Sequence, residues 1–165
     1  MIILGVDPGL NITGYGVIEV NGSKGGADLS RIKLKEAGVI RTKARDGIST
    51  RLEKIHENLL NVVKEYKPEV LVLEKLYSHY KHPVTSILMG HARGTVCLVA
   101  GSSGIKLANF PATRIKKAVT GNGQASKRQV QGMIQKLLHL KEKPQPMDVS
   151  DALACALCYV NVELR

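Results

Sequence analysis

Four carboxylates stand where chain geometry could gather them. Asp7 follows a short β-branched run, Ile2–Val6, and precedes Pro8-Gly9. Glu74 follows the apolar run Val70-Leu-Val-Leu73. Asp148 and Asp151 flank the start of a final apolar helix; residues three apart on a helix are separated by about 60° around its axis and share a face. Sites in open α/β sheets form at the carboxyl ends of strands, so Asp7 and Glu74 meet there if their strands are neighbours. The last helix must then aim Asp148 and Asp151 at the same spot. Crowded carboxylates raise each other's pKa values, and a hard divalent cation relieves that repulsion. An all-oxygen ligand set suits Mg²⁺ or Mn²⁺. Two such ions, about 3.5–4 Å apart, can clamp a phosphodiester under in-line attack by water. Each acid also has a plainer reading. Asp7 before Pro-Gly fits a turn, and Asp148 fits a helix N-cap with Asp151 in the first turn. Glu74 is harder to explain away, because an acid directly after four apolar residues is poorly solvated unless something binds it.

The charge distribution points to the substrate class. The 165 residues carry 24 Lys plus Arg against 14 Asp plus Glu, a net charge of +10. The excess is localised. No carboxylate occurs from Lys75 through Lys141, a stretch holding Lys75, Lys81, Arg93, Lys106, Arg114, Lys116, Lys117, Lys127, Arg128, Lys136 and Lys141. The rest of the chain is close to neutral. A basic surface neutralises phosphates and releases counterions, so a polyanion is the expected partner, against the plainer reading of a basic soluble protein.

The elements that must position these groups follow from periodicity. Ile2–Val6, Thr13–Val20 and Ile32–Arg41 read as strands, with a Gly- and Ser-rich hairpin connection at Asn21–Ser30. Apolar residues at Leu52, Ile55, Leu59, Val62, Val63 and Tyr66 mark a helix over Ser49–Tyr66, with Ser49 or Thr50 able to cap it and Glu53 in its first turn. Val70–Glu74 reads as a buried central strand. Helices are expected at Ser86–Val99, Ala112–Thr120, Ser126–Leu138 and Val149–Val162, with a strand at Ile105–Phe110. Three early strands as a meander followed by α/β crossovers imply a mixed sheet with helices on both faces.

The length suits one domain with a core that needs no disulfide, and 44% hydrophobic with 23% charged residues excludes a disordered or fibrous chain. No apolar run approaches the ~20 residues of a membrane span. The N-terminal Met1-Ile-Ile-Leu-Gly-Val-Asp7 lacks the basic region and cleavage site of a signal peptide. Cys97, Cys155 and Cys158 are an odd, sparse set that fits a reducing cytosol; Cys155 and Cys158 sit in an apolar helical run and read as small buried residues rather than half of a zinc site.

Leu4-Gly-Val-Asp7-Pro-Gly9 with Thr13-Gly14-Tyr15-Gly16-Val17, Leu73-Glu74-Lys75, Gly90-His-Ala-Arg-Gly94, and Asp148-Val-Ser-Asp151-Ala-Leu-Ala154 occur in that order. With these the chain resembles the RuvC family of Holliday-junction resolvases over essentially its full length. The resemblance implies a single ribonuclease H-like nuclease domain over residues 1–165, of the α/β class, with a mixed five-stranded sheet flanked by helices on both faces. It implies a homodimer that makes paired nicks in four-way junction DNA, leaving 5′-phosphate and 3′-hydroxyl ends, in the cytoplasm. It implies Mg²⁺, two ions per subunit, with Mn²⁺ as a substitute, and a branch-migration motor complex as partner. Catalytic and metal-ligating roles carry onto Asp7, Glu74, Asp148 and Asp151. Tyr77 matches an aromatic near the exchange point, able to stack on an unpaired base, or else a core or sheet-edge residue. Lys116 and Lys127 match basic residues close to the scissile phosphate. Lys81, Arg114, Lys117 and Arg128, in the same acid-free stretch, are further candidate DNA contacts. His79 and His82 read as exposed loop residues, with phosphate contact as the alternative. Asn21–Ser30 is longer and more polar than this hairpin usually is in the family. Three other readings stay open: a ribonuclease H-like enzyme acting on RNA or RNA–DNA hybrid, a phosphate loop of the sugar-kinase and actin type at Asp7-Pro-Gly9, and a junction-binding protein without catalysis.

Overall fold

Two apolar runs decide the centre of the molecule. In the computed structural model, which describes residues 1–21, 32–75 and 83–164, Ile2–Asp7 (β1) and Val70–Glu74 (β4) lie side by side and parallel, with Val6 opposite Leu73. Both are covered on both faces. Ile3, Val70 and Val72 enter one core, while Leu4, Val6, Leu71 and Leu73 enter the other, which is why neither run alternates with polar residues. Ile12–Val20 (β2) pairs antiparallel with β1, and Ile32–Arg41 (β3) pairs antiparallel with β2, with a bulge between Val17 and Ile18. Lys106–Phe110 (β5) pairs parallel with β4. The order is β3-β2-β1-β4-β5, the expected meander joined to α/β crossovers.

Helices cover both faces. Ile48–Tyr66 (α1) and Pro83–Ser102 (α2) close one core with Ile55, Leu59, Val63, Ala92, Val96 and Val99. Ala112–Thr120 (α3), Lys127–Leu137 (α4) and Met147–Glu163 (α5) close the other. α5 is buried all round from Ala152 to Val160, which accounts for its almost unbroken apolar sequence. Cys155 and Cys158 are free and buried in it, as expected.

Three local expectations are corrected. α1 starts at Ile48 with Gly47 as its N-cap and no side-chain cap, so neither Ser49 nor Thr50 caps it and Glu53 lies beyond the first turn. The turn closed by Asp46 N–H on the Lys43 carbonyl delivers the chain into the helix one residue early. α4, by contrast, begins with a complete capping box between Ser126 and Gln129. Finally, Val84–Ser102 within α2 is long and apolar enough to cross a bilayer by length and composition (mean hydropathy 1.2). Its inner side packs in the core, while Val84, Ile87 and Leu98 are exposed. The Asn21–Ser30 connection beyond Asn21 lies outside the described residues.

α5 lies directly on the first two strands. A Cβ at Gly5 would collide with the Ala152 carbonyl, and one at Gly14 with the Asp148 carbonyl. Gly14 is the register partner of Asp7, so this close approach sets the first turn of α5 beside the end of β1. Gly5→Ala is expected to lower the unfolding free energy by about 2–4 kcal/mol, read by urea titration, because two backbones must separate. Gly132→Ala, in the middle of α4 with open space around it, is expected to raise it by up to about 1 kcal/mol.

Candidate active site

Asp7 and Glu74 end adjacent parallel strands, and their side chains line one cavity of about 690 Å³. Asp148 and Asp151 line the same cavity from the first turns of α5. Of the plainer readings, the N-cap at Asp148 fails, while an acid in the first turn of α5 is what the structure shows. The helix cap is Pro146, reached through a cis Gln145–Pro146 peptide, so Asp148 is not the N-cap. The Asp7-Pro-Gly turn is tied down from several directions. Thr13 Oγ1 donates to the Gly9 carbonyl at 2.7 Å, Thr42 Oγ1 to the Leu10 carbonyl at 2.5 Å, and the buried Arg51 to Asn11 Oδ1 and Thr42 Oγ1. The site therefore rests on an anchored loop and a strand end.

The electrostatics follow from burial and crowding. Burial, then the charge of Asp151, raises the Asp7 carboxyl from an ordinary 3.8 to about 7; Asp148 and Glu74 push the same way, and Lys127 opposes them. Glu74 is exposed at the strand end, better solvated than its apolar run implies; partial desolvation by the cavity wall and then Asp151 still raise it, with Lys127 and Lys116 opposing. Lys127 Nζ donates to Asp151 Oδ2 at 2.7 Å, and that bond raises the lysine's own pKa. In this arrangement the acids line the cavity walls without closing on one point as a three-ligand cage among the described residues, and a lysine ammonium supplies their counter-charge. The donor set itself, four carboxylates lining one cavity, fits a hard divalent cation.

The predicted basic residues divide. Lys116 and Lys127 line the carboxylate cavity. Arg128 lines a separate groove of about 300 Å³ with Thr120, Asn122 and Lys136. Arg114 and Lys117 are exposed on α3 and do not line the cavity. Tyr77, His79, Lys81 and His82 lie outside the described residues. Two cavity residues were missed as site candidates, Lys75 and Arg93. Both belong to the acid-free stretch, and Arg93 sits inside Gly90-His-Ala-Arg-Gly94, so the signal was present but did not separate them from other bases.

A mixed sheet of this order, with carboxylates at the ends of two central strands and a helix bringing two more across, defines a ribonuclease H-like protein. The fold is similar to that of Thermus thermophilus RuvC, with a TM-score of 0.86 and 30% identity over 98% of this chain and 94% of that one. It is also similar to the yeast mitochondrial Holliday junction resolvase, where a TM-score of 0.65 at 11% identity reflects the fold alone. Residues 3–159 match the family described as Crossover junction endodeoxyribonuclease RuvC, and the chain belongs to that family. The RuvC protein of Rhodopirellula baltica is 46% identical over 156 residues, 94% of this chain and 84% of the relative; that of Desulforamulus reducens is 42% identical over 161 residues, 98% and 94%. Family membership along the chain replaces the sugar-kinase and actin-like reading of Asp7-Pro-Gly9.

The cavity carries a stability cost that can be measured without cleavage. Asp7 binds its proton more tightly in the folded state than in the unfolded one, so its contribution to stability falls as pH rises from about 4 through 7. With divalent cations removed by EDTA, Asp7→Asn is expected to raise the melting temperature by a few degrees at pH 8. That gain should shrink at pH 5, where the wild-type carboxyl is already protonated. An Asp7→Asn protein that melts below wild type at pH 8 contradicts the crowding described here.

Proposed function

We propose that this chain resolves four-way DNA junctions in the cytoplasm by hydrolysing one phosphodiester per subunit. Water adds to phosphorus, the bond to the 3′ oxygen breaks, and the products are a 5′-phosphate and a 3′-hydroxyl. The observation that carries the reading is the convergence of Asp7, Glu74, Asp148 and Asp151 on a cavity that also holds Lys116 and Lys127. The solved structure of a related protein, Thermus thermophilus RuvC in complex with Holliday junction substrate, is similar to this chain with a TM-score of 0.84 and 26% identity.

Asp7, Glu74, Asp148 and Asp151 are the residues that would hold Mg²⁺, two ions per subunit, with Mn²⁺ as substitute. Bound there, the ions would supply Lewis-acid activation of water and charge stabilisation at the leaving oxygen. The chain's own groups do the rest. Lys116 and Lys127 face phosphate oxygens as point charges. Lys127, which donates to Asp151 in this structure, would find an alternative acceptor in a phosphate oxygen, and Asp151 would then be free to hold a cation. Arg128 and Lys136, in the neighbouring groove, extend the basic surface along a DNA arm, and Lys81, Arg114 and Lys117 hold phosphates without reading sequence. Tyr77 stacks on an unpaired base at the exchange point.

The dimer is part of the proposal. Val84, Ile87 and Leu98 on α2 are 69%, 61% and 60% exposed, an apolar stripe that a solvated helix face would not retain. Open space around Gly90 and Gly94 on the same helix lets a second helix approach closely. A second copy of this chain on that stripe gives two sites related by a two-fold axis, matching the approximate symmetry of a four-way junction. A branch-migration motor complex is the further proposed partner, on the family resemblance alone.

Gel assays on a synthetic four-way junction, a linear duplex and an RNA–DNA hybrid, with Mg²⁺ or EDTA, test the reading. Junction cleavage in Mg²⁺ is expected, with at least about 10³-fold loss in Asp7→Asn and retained junction binding. Preference for the hybrid, or binding without cutting in either Mg²⁺ or Mn²⁺, rejects it. Leu98→Glu is expected to give a monomer by sedimentation and to abolish paired nicking.

A further inference from the structure

Arg93 links two parts of the molecule that the chemistry treats separately. Its Nη1 donates to the Glu74 backbone carbonyl at 2.5 Å, and its Nη2 donates to Asn109 Oδ1. Glu74 is the last residue of β4 and lies opposite Phe110, the last residue of β5. Just beyond it, the Lys75 N–H donates to the Phe110 carbonyl at 2.8 Å. The peptide that carries the Glu74 side chain is thus held by the sheet on one side and by the guanidinium of α2 on the other. A planar fork with several fixed donors can meet a carbonyl and an amide oxygen at once, which a lysine ammonium on a flexible stem does poorly.

Arg93 also lies about 140° around the helix axis from Leu98, by the 100° step of an α-helix, so it faces away from the exposed apolar stripe. One rigid helix carries the stripe on one side and the strut to Glu74 on the other.

We propose that Arg93 is a positioning residue: it fixes the end of β4, and with it the Glu74 carboxylate, against α2, with Asn109 setting the angle of the guanidinium. This rests on the reading of Glu74 as a cation ligand. Small displacements of an oriented group cost large factors in rate; removing the partner of a metal-ligating side chain typically costs 10–100-fold.

The test separates positioning from phosphate contact. For Arg93→Gln, the junction dissociation constant in EDTA, its salt dependence and the sedimentation of the free protein are expected to stay within about twofold of wild type. The rate at saturating junction should fall about 10–100-fold, and the Mg²⁺ concentration for half-maximal rate should rise. Arg93→Lys should recover only part of the loss. Asn109→Ala leaves α2 untouched and should show the same split to a smaller degree, which keeps the test open if Arg93→Gln folds poorly. Mn²⁺ binding to the DNA-free protein, followed by electron paramagnetic resonance, should weaken in both variants. An unchanged rate in Arg93→Gln overturns the proposal. So does a loss carried by weaker junction binding with a shallower salt slope, the mark of a phosphate contact. Glu74→Gln separates the two levels: if it cuts at the wild-type rate, the reading of the site fails, whereas if it is inactive while Arg93→Gln is fully active, only the role of Arg93 fails.

Discussion

Asp148 and Asp151 reach the ends of β1 and β4 because the backbone of α5 rests on Gly5 and Gly14, where even a methyl group would meet a carbonyl of the helix. This contact places a helix of almost wholly buried residues at closest approach to the strands, and its register along the sheet is set by which glycines it covers. Gly14 lies beside Asp7, so the helix turn above it is the one carrying Asp148. A larger residue at either glycine would lift the helix and move two carboxylates away from the other two. The site geometry is in this sense a packing result, decided in the core and expressed at its edge.

Packing alone would leave a strongly repulsive cluster. Burial raises Asp7 and Glu74, and the neighbouring acids raise them further. The protein tolerates this because the cluster is small, the strand ends are anchored, and Lys127 supplies a local positive charge through Asp151. Such a site is held by the scaffold against its own electrostatics, a trade common where stability yields to function. The same repulsion makes the position of each carboxylate sensitive to its supports.

The net charge of +10 describes the molecule poorly until it is divided. Its excess lies in the acid-free stretch that begins just after Glu74, and the fold returns parts of that stretch to the carboxylates. Lys75 and Arg93 approach from the β4 end and α2, Lys116 from α3, and Lys127 from the start of α4. Acids and bases far apart in the chain thus share one cavity.

Much of this was legible before any coordinates. The apolar runs at Ile2–Val6 and Val70–Leu73 read as buried strands, because they are short, β-branched, flanked by turn or helix-ending residues, and do not alternate as an exposed strand would. The acids after them stand out because nothing else in such a run is polar. Periodicity located every helix, with errors of a few residues at ends where no local signal marks the boundary, as at α1, whose cap is a glycine. The ordered motifs carried the family. Tertiary structure decided the rest. Which bases of a uniformly basic stretch enter the cavity depends on how α2, α3 and α4 are rotated about their axes, so Lys116 and Lys127 line it while Arg114 and Lys117 do not. That Arg93 grips the Glu74 peptide depends on a contact between residues on different elements, and no spacing along the chain encodes it. Sequence determines which groups a chain can offer, because residue type and local period are written in it; only the packing of elements against one another determines which of those groups meet.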